Sequence, residues 1–263
     1  MIGNYLTGLN MSISRKKLTN YLNELLKPWQ MKDYCPNGLQ VEGKEQIETM
    51  VTGVTASQAL VDAAIEAKAD AIFVHHGYFW KSEDECITGM KKRRLKALLD
   101  HNINLYAYHL PLDVQPTYGN NVQLAQRLNI HVQRSLEPWN KQCVALKGKL
   151  ETPMSLQQFS DLVCHQLDRK PFVNAGGEHP IETIACCTGG GQHYIDSAAN
   201  QGIDAFLSGE ASEQTVHVSN EMGIHFIAAG HHATERYGAQ SIGQHLAEKY
   251  EIEVEFIDID NPI

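Results

Sequence analysis

None of the six cysteines in this 263-residue chain stands in a Cys-x-x-Cys pair. That removes the usual signature of a redox couple, a zinc ribbon or a disulfide framework. Only Cys186 and Cys187 adjoin, inside a segment that reads as a strand, where buried apolar packing accounts for them. The pattern suits a reducing compartment, so a cytoplasmic protein is expected. Long apolar runs are missing too: no stretch reaches 18 residues, and the N-terminus shows no charged segment followed by an apolar stretch and a cleavage site. A membrane span and a secretion signal are both unsupported. Positive charge is scarce, with 22 Lys and Arg against 31 Asp and Glu and a net charge of -9. A phosphate backbone needs a basic face, so polymeric nucleic acid is not an expected partner. The KKRRLK run, Lys91 to Lys96, reads as one solvated helix face. No segment is of low complexity. Met11 offers a second start, and MIGNYLTGLN before it reads as an extension.

What is present is enough apolar residue, 43%, to bury a real core, over a length that suits two α/β units. The chain also repeats itself. Shifted by 134 residues, IETMVTGVTASQALVDAAIEAKADAIFVHHGYFW (Ile47 to Trp80) lies over IETIACCTGGGQHYIDSAANQGIDAFLSGEASEQ (Ile181 to Gln214) without a gap, and eight positions are identical. They include Ile-Glu-Thr at the start, Gln58 with Gln192, Asp62 with Asp196, and Asp70-Ala71 with Asp204-Ala205. Each copy alternates a short apolar run, a Gly/Thr/Ser turn, an amphipathic stretch and a second apolar run, which predicts a βαβ unit. A second echo joins NLYAYHLPLD (Asn104 to Asp113) to HFIAAGHHATE (His225 to Glu235), its register slipped by twelve residues because the connecting helix near Ser212 to Glu221 is shorter. The expectation is an α/β protein of two similar lobes from an internal duplication, 1–130 and 131–263, interlinked.

Other segments are plainer. Ser14 to Trp29 predicts an amphipathic helix with a serine cap, stopped by Pro28; Cys143 to Leu150 predicts a strand; Ser155 to Leu167 predicts a helix capped by Ser155 and closed by Pro171. NAGGEHP, Asn174 to Pro180, is a turn-rich connector.

The chemistry collects where strands end. Open parallel sheets bind ligands beyond the carboxyl ends of their strands, and three predicted ends carry histidine: His75-His76, His109, and His231-His232. A lone histidine is most often a hydrogen-bonded structural residue; three at equivalent places, with carboxylates nearby, point to a metal. On a continuing strand His75 and His76 would face opposite sides, but at a strand end they can splay toward one point. A helix starting at His231 puts Glu235 on the same face. In His109-Leu-Pro-Leu-Asp113 the proline disfavours a continued strand or helix, so the chain turns and returns Asp113 to the strand end. Glu235 has two oxygens and can bridge two ions, with His75 and His76 each serving one. Two metals about 3.5 to 4 Å apart activate a shared water. Imidazole and carboxylate without thiolate suit Zn, Fe, Mn, Co or Ni and do not choose among them. The HHATE string lacks the HExxH spacing of a zincin helix.

Gly189, Gly190 and Gly191 follow a strand and precede a helix, so their N–H groups are a candidate phosphate cradle, or else a tight turn; neither dinucleotide-binding nor P-loop spacing is present. Glu210 aligns with His76 under the repeat, and with Glu213 it is a candidate for contact with a ligand residue or substrate, or else is solvated.

HHGYFW, HLPLD, CTGGG, LSGEASEQ and AAGHHATER, with PNGLQVEG (Pro36 to Gly43) and the ending FIDIDNP, together resemble the Nif-three family from about Asn20 onward. The resemblance is strongest to its short bacterial members of the YbgI type, the GTP cyclohydrolase 1 type 2 homologues. It implies a two-lobed α/β subunit with a dinuclear metal site between the lobes, a toroidal homohexamer, two divalent metal ions per subunit, and as ligands His75, His76, Asp113, His231 and Glu235. His232 falls where relatives carry tyrosine and is not counted; His109 is a candidate proton carrier. The leading functional expectation is a metal-dependent hydrolase acting on a small nucleotide-like or heterocyclic substrate, with His109 or Glu210 moving protons. The alternative is a non-catalytic metal-binding or metal-chaperone hexamer whose ligands fill the coordination sphere.

Overall fold

The computed structural model describes residues 12–263. The extension expected at MIGNYLTGLN lies outside the described residues. In chain order the elements are β1 (Ile13–Ser14), α1 (Arg15–Leu26), β2 (Gly38–Val41), β3 (Gln46–Ile47), β4 (Thr49–Thr55), α2 (Gln58–Glu66), β5 (Ala71–His76), α3 (Gly89–Asp100) and β6 (Asn104–Ala107). Then come α4 (Leu110–Asp113), α5 (Asn120–Arg127), β7 (Ile130–Ser135), β8 (Leu146–Met154), α6 (Leu156–Leu167), β9 (Phe172–Asn174) and β10 (Ile181–Cys187). The chain ends with α7 (Ile195–Asn200), β11 (Ala205–Ser208), α8 (Glu213–Met222), β12 (His225–Ala228), α9 (His231–Tyr250) and β13 (Glu253–Phe256). None of the described helices is long and apolar enough to cross a membrane.

Two large sheets result, ordered β13-β4-β5-β6-β2 and β7-β8-β10-β11-β12-β9, and β1 pairs with β3 in a small antiparallel sheet of its own. The repeated segments form their parallel centres, β4-β5-β6 in one and β10-β11-β12 in the other. The likeness reaches further back than the sequence match: α1 leads into β2, antiparallel to β6, as α6 leads into β9, antiparallel to β12. Ile72, Phe73 and Val74 of β5 and Phe206 and Leu207 of β11 are fully buried, which is why these strands read as unbroken apolar runs. Each such side chain stabilises the fold by about 1.5 to 3 kcal/mol.

The repeated aspartates have a structural task. Asp70 accepts the N–H groups of Glu48 and Thr49 at 2.8 and 3.1 Å, and Asp204 accepts those of Glu182 and Thr183 at 3.1 and 2.7 Å. In both halves the Asp before the second strand thereby ties down the Glu-Thr that opens the first, satisfying N–H groups that the ladder leaves unpaired.

The slipped register has a different cause from the one expected. The helices α3 and α8 differ little, at 12 and 10 residues. The main difference is the loop before them, residues 77–88 in the first half against 209–212 in the second. The longer loop brings Trp80 to the histidines.

Helix α9 joins the halves. Its Ala233 and Tyr237 belong to the core under the second sheet, while Ala239, Ile242 and Leu246 belong to the core under the first. Past it, β13 returns to the first sheet beside β4, in parallel register. Gly238 lets α9 approach α5 closely: a Cβ there would sit 2.4 Å from the Asn120 amide oxygen, which accepts the Gly238 N–H at 2.8 Å.

Local readings met mixed outcomes. Ser14 caps α1 and Ser155 closes a capping box on α6, as their spacing predicts. The terminators are Lys27 and Asp168, both left-handed, rather than Pro28 and Pro171. The strand expected over Cys143 to Leu150 begins at Leu146 and runs through Pro153 to Met154. The proline of HLPLD does not prevent a helix: it sits in the first turn of α4, where its missing N–H costs nothing.

Candidate metal centre

The adjacent histidines that end β5 do converge, each ring held at Nδ1 by a different flanking segment and turned with Nε2 toward Glu235. His75 leans toward β6, where its Nδ1 donates to the Tyr108 carbonyl at 3.1 Å. His76 leans toward β4, its Nδ1 3.0 Å from the Thr55 hydroxyl. Their ring centroids are 4.5 Å apart, and both Nε2 atoms face Glu235. Asp113 arrives from α4 with its Oδ1 3.6 Å from His75 Nε2, held by Asn120 Nδ2 at 2.9 Å and by the Thr188 hydroxyl at 3.3 Å. Glu235 arrives from the first turns of α9, four residues after His231, whose Nε2 is 3.1 Å from Glu235 Oε2.

Two donor sets form around one carboxylate. His75, Asp113 and Glu235 make the first; His76, His231 and Glu235 make the second; within each, the ligand atoms lie within 4.8 Å of one another. Glu235 Oε1 faces the first set, 3.5 Å from His75 Nε2, and its Oε2 faces the second, 3.2 Å from His76 Nε2. Residues that follow strands of both sheets therefore meet at one point.

These approaches are not hydrogen bonds. Glu235 Oε2 and His75 Nε2 are buried and, among the described residues, lack a partner in hydrogen-bonding geometry. Such atoms normally carry a large desolvation cost. The separations instead match donors arranged about a cation, since two ligands each about 2.1 Å from one ion at angles near 90 to 110° stand roughly 3 to 3.5 Å apart. The oxygens on the outer ring nitrogens fix each imidazole with Nε2 inward, the usual support for a metal-ligating histidine.

The charges are poised for a cation as well. Burial works against a protonated His75, yet Asp113 and Glu235 outweigh it and push the group up to about 9. His231 is likewise opposed by burial and raised to about 9 by Glu235 and Glu210. His76 is driven well below the imidazole range by burial; Glu235 opposes this, while His75, His109 and His231 add to it. Burial raises Asp113. Burial would raise Glu235 too, but His75 and His76 hold it well below the carboxylate range. A histidine whose folded pKa is raised from 6.5 to about 9 contributes stability that is complete below pH 6.5 and lost as pH rises through 9. Chelator-treated protein is thus expected to lose thermal stability between pH 6.5 and 9, while metal-loaded protein does not follow that curve. Metal uptake at pH 7 should release up to two protons, one each from His75 and His231, read as a dependence of calorimetric enthalpy on the buffer's ionisation enthalpy.

The other expected site residues fall in distinct places. His109 stands beside the centre, its ring 5.0 Å from that of His75 and 5.7 Å from that of His76. Glu210 accepts from His231 Nδ1 at 2.6 Å, so it orients that imidazole from outside the donor sets. Glu213 is solvated at the start of α8, beside His217. His232 turns away and pairs with Asp258 at 2.7 Å. Of the two readings of the glycine turn, its contacts favour the tight turn over the phosphate cradle. Gly189 N–H donates to the Thr234 hydroxyl at 3.0 Å, and the Glu210 carboxylate, which would repel an anion, lies 3.8 Å from where a Gly190 Cβ would be. Gly191 is pressed against Cys187, where a Cβ would stand 2.3 Å from the sulfur. The turn's role is close approach: at Gly189, φ +60°, a Cβ would lie 1.9 Å from Glu235 Oε1.

Sequence reasoning missed Asp33, Thr55, Asn120 and Thr188, which hold His109, His76 and Asp113. Only their short polar side chains before or after predicted elements could have marked them. Asp33, Cys35 and His109 also cluster, but both Asp33 oxygens are hydrogen-bonded, and burial, with Asp33 and Glu83, pushes the Cys35 thiol up to about 12.

Fold and site together define a two-sheet α/β protein with a buried histidine and carboxylate centre assembled from both halves. Residues 13–262 match the model of the Duf34/NIF3 (NGG1p interacting factor 3) family, and the chain belongs to it. Among similar proteins is a GTP cyclohydrolase 1 type 2 homolog of Pasteurella multocida, 55% identical over 249 residues, covering 94% of this chain and 98% of that one. A protein of the same name from Pseudomonas aeruginosa is 54% identical over 252 residues, covering 96% and 100%. The solved structure of protein ybgI, described as of unknown function, superposes with a TM-score of 0.91 at 49% identity, over 95% of this chain and 100% of that one. Reduced HcgD from Methanocaldococcus jannaschii shares the fold, with a TM-score of 0.82 at 22% identity over 94% and 99%.

Proposed function

We propose that the chain binds two divalent metal ions, bridged by Glu235, and is a metal-dependent hydrolase of small heterocyclic or nucleotide-like molecules. One observation carries the reading: the two oxygens of a single buried carboxylate face two separate donor sets at distances set for cations. His75 and Asp113 would hold one ion, and His76 and His231 the other. Ions so placed would acidify a water and polarise a substrate carbonyl. The protein's part is to exclude bulk water by burying Asp113 and Glu235, to fix the imidazoles from behind, and to hold or move a proton at His109 Nε2. The name shared by the relatives supports a ring-opening hydrolysis.

The surroundings favour a ring over a phosphate at the reacting end. A cavity of about 250 Å³ reaches His76 and His231 between Val54, Thr55, His232, Asn261 and Ile263; no lysine or arginine lines it, and His232 is engaged by Asp258. The Asn261 side-chain oxygen Oδ1 accepts the Ile263 N–H at 3.0 Å, which leaves its amide NH₂ for a ligand. A volume of this size takes one ring system at the reacting end.

The test is metal analysis of the purified and reconstituted protein, followed by hydrolysis assays on a panel of cyclic amides, nucleobases and nucleotides. Two ions per subunit and turnover of a cyclic substrate are the expected results. Two ions with no turnover on a broad panel would favour a metal-binding or metal-chaperone role, and no ions after reconstitution would refute both readings.

A further inference from the structure

All four histidines at the centre have Nδ1 committed to an oxygen behind them: Tyr108 O for His75, Thr55 Oγ1 for His76, Glu210 Oε1 for His231 and Asp33 Oδ1 for His109. The fourth pair differs from the rest. His109 Nδ1 hydrogen-bonds Asp33 Oδ1, and among the described residues neither Asp113 nor Glu235 comes within ion-pair distance of its ring. Asp33 is 2.7 Å from His109 Nδ1, and only 3% of its side chain is exposed. Its second oxygen accepts the Leu110 N–H at 3.0 Å and Asn37 Nδ2 at 2.9 Å. Asn37 in turn accepts the His109 N–H at 2.7 Å, so ring and backbone of His109 are clamped by one short loop between α1 and β2. Trp80 closes another side, its ring edge-on to His109 at 4.9 Å. Among the described residues no hydrogen bond reaches Nε2, and a ring nitrogen of His109 lies within 4.8 Å of ring nitrogens of His75 and His76.

We propose that Asp33 is a positioning residue that makes His109 the proton carrier of the centre: it holds the proton on Nδ1 and leaves the Nε2 lone pair facing a water or substrate atom beside His75 and His76. This rests on the hydrolase reading above. The proton taken at Nε2 makes the ring cationic next to the Asp33 carboxylate, and it passes on to the leaving nitrogen or oxygen, so the ring returns to its starting state. Burial would raise the Asp33 carboxyl, but hydrogen bonds from His109, Asn37 and the Tyr34 N–H keep it below the ordinary range and therefore ionised. The arrangement follows the logic by which a buried carboxylate fixes the tautomer of a general base.

The full-length protein, loaded with zinc and labelled with ¹⁵N-histidine, is compared with Asp33→Asn and His109→Ala by metal content, by long-range ¹H–¹⁵N NMR of the imidazoles, and by turnover on the cyclic-substrate panel. Both variants are expected to keep the full metal content. Asp33→Asn should shift His109 from the Nδ1–H form toward the Nε2–H form, and it should lower kcat by about 100-fold or more with KM changed by less than about threefold. An unchanged His109 tautomer in Asp33→Asn would overturn the proposal. So would loss of an ion in His109→Ala, because His109 would then be a ligand. The tautomer and metal readouts need no substrate, so failure of the hydrolase reading and failure of this assignment are told apart.

Discussion

Replacement of Glu235 by glutamine is expected to empty both donor sets at once, although it removes a single negative charge. Each carboxylate oxygen serves a different trio, so no other residue of the centre has this reach. His231→Ala removes a donor from one set only and should leave the pair of His75 and Asp113 able to retain an ion. Apparent affinity in Glu235→Gln should fall by far more than the roughly 10- to 100-fold expected for loss of a supporting hydrogen bond. The variant also leaves His75 fully buried with Asp113 as the one carboxylate of the centre to balance it. Breaking a buried pair in this way costs about 3 to 5 kcal/mol. For a chain of this size that lowers Tm by roughly 10 °C at pH 6.5. Metal analysis after dialysis against chelators of graded strength checks the first expectation, and thermal unfolding checks the second. Retention of two ions by Glu235→Gln would rule out the shared-carboxylate centre.

Gly189→Ala is the second large effect, and it removes no ligand. The backbone at Gly189 has φ +60°, and a methyl group there would meet Glu235 Oε1 at 1.9 Å and His231 Nε2 at 3.0 Å. Neither neighbour is free to give way: His231 is held by Glu210, and Glu235 lies in the first turns of α9 with 3% of its surface exposed. The expected result is loss of metal together with about 2 to 4 kcal/mol of stability, from the left-handed backbone and the clash combined. Gly202→Ala provides the control. It too has a positive φ, +64°, but nothing lies within 4 Å of its added Cβ. It should lose only about 1 kcal/mol and keep its metal. Equal metal loss in both variants would mean that general destabilisation, and not displacement of Glu235, empties the site.

The residues that could be found in advance share one property: they are chemistry-bearing side chains at the end of an apolar run. His75 and His76 close such a run, and His231 with Glu235 opens a helix at the corresponding place in the second half. The supporting groups were not visible because they share no local pattern with what they support. Asp33 is 76 residues from His109, and Thr188 is 75 residues from Asp113. The glycine turn stayed open between two readings for a related reason. A run of three glycines announces close backbone approach, but whether the approaching group is a phosphate or Glu235 depends on what the fold places opposite.

The repeated aspartates give the contrary lesson. Asp70 and Asp204 stood out as identities between the halves, and their task is to tie two strands together, so a matched residue in a duplicated pattern need not belong to the centre. By itself, the order of apolar runs, turns and amphipathic stretches determined two βαβ units and the strand ends at which polar side chains emerge, because burial periodicity is a local property of the chain. Only tertiary structure decided that α9 spans both cores and sets one carboxylate between imidazoles from two sheets. That arrangement depends on how whole elements pack against each other across the chain, which no window of sequence encodes.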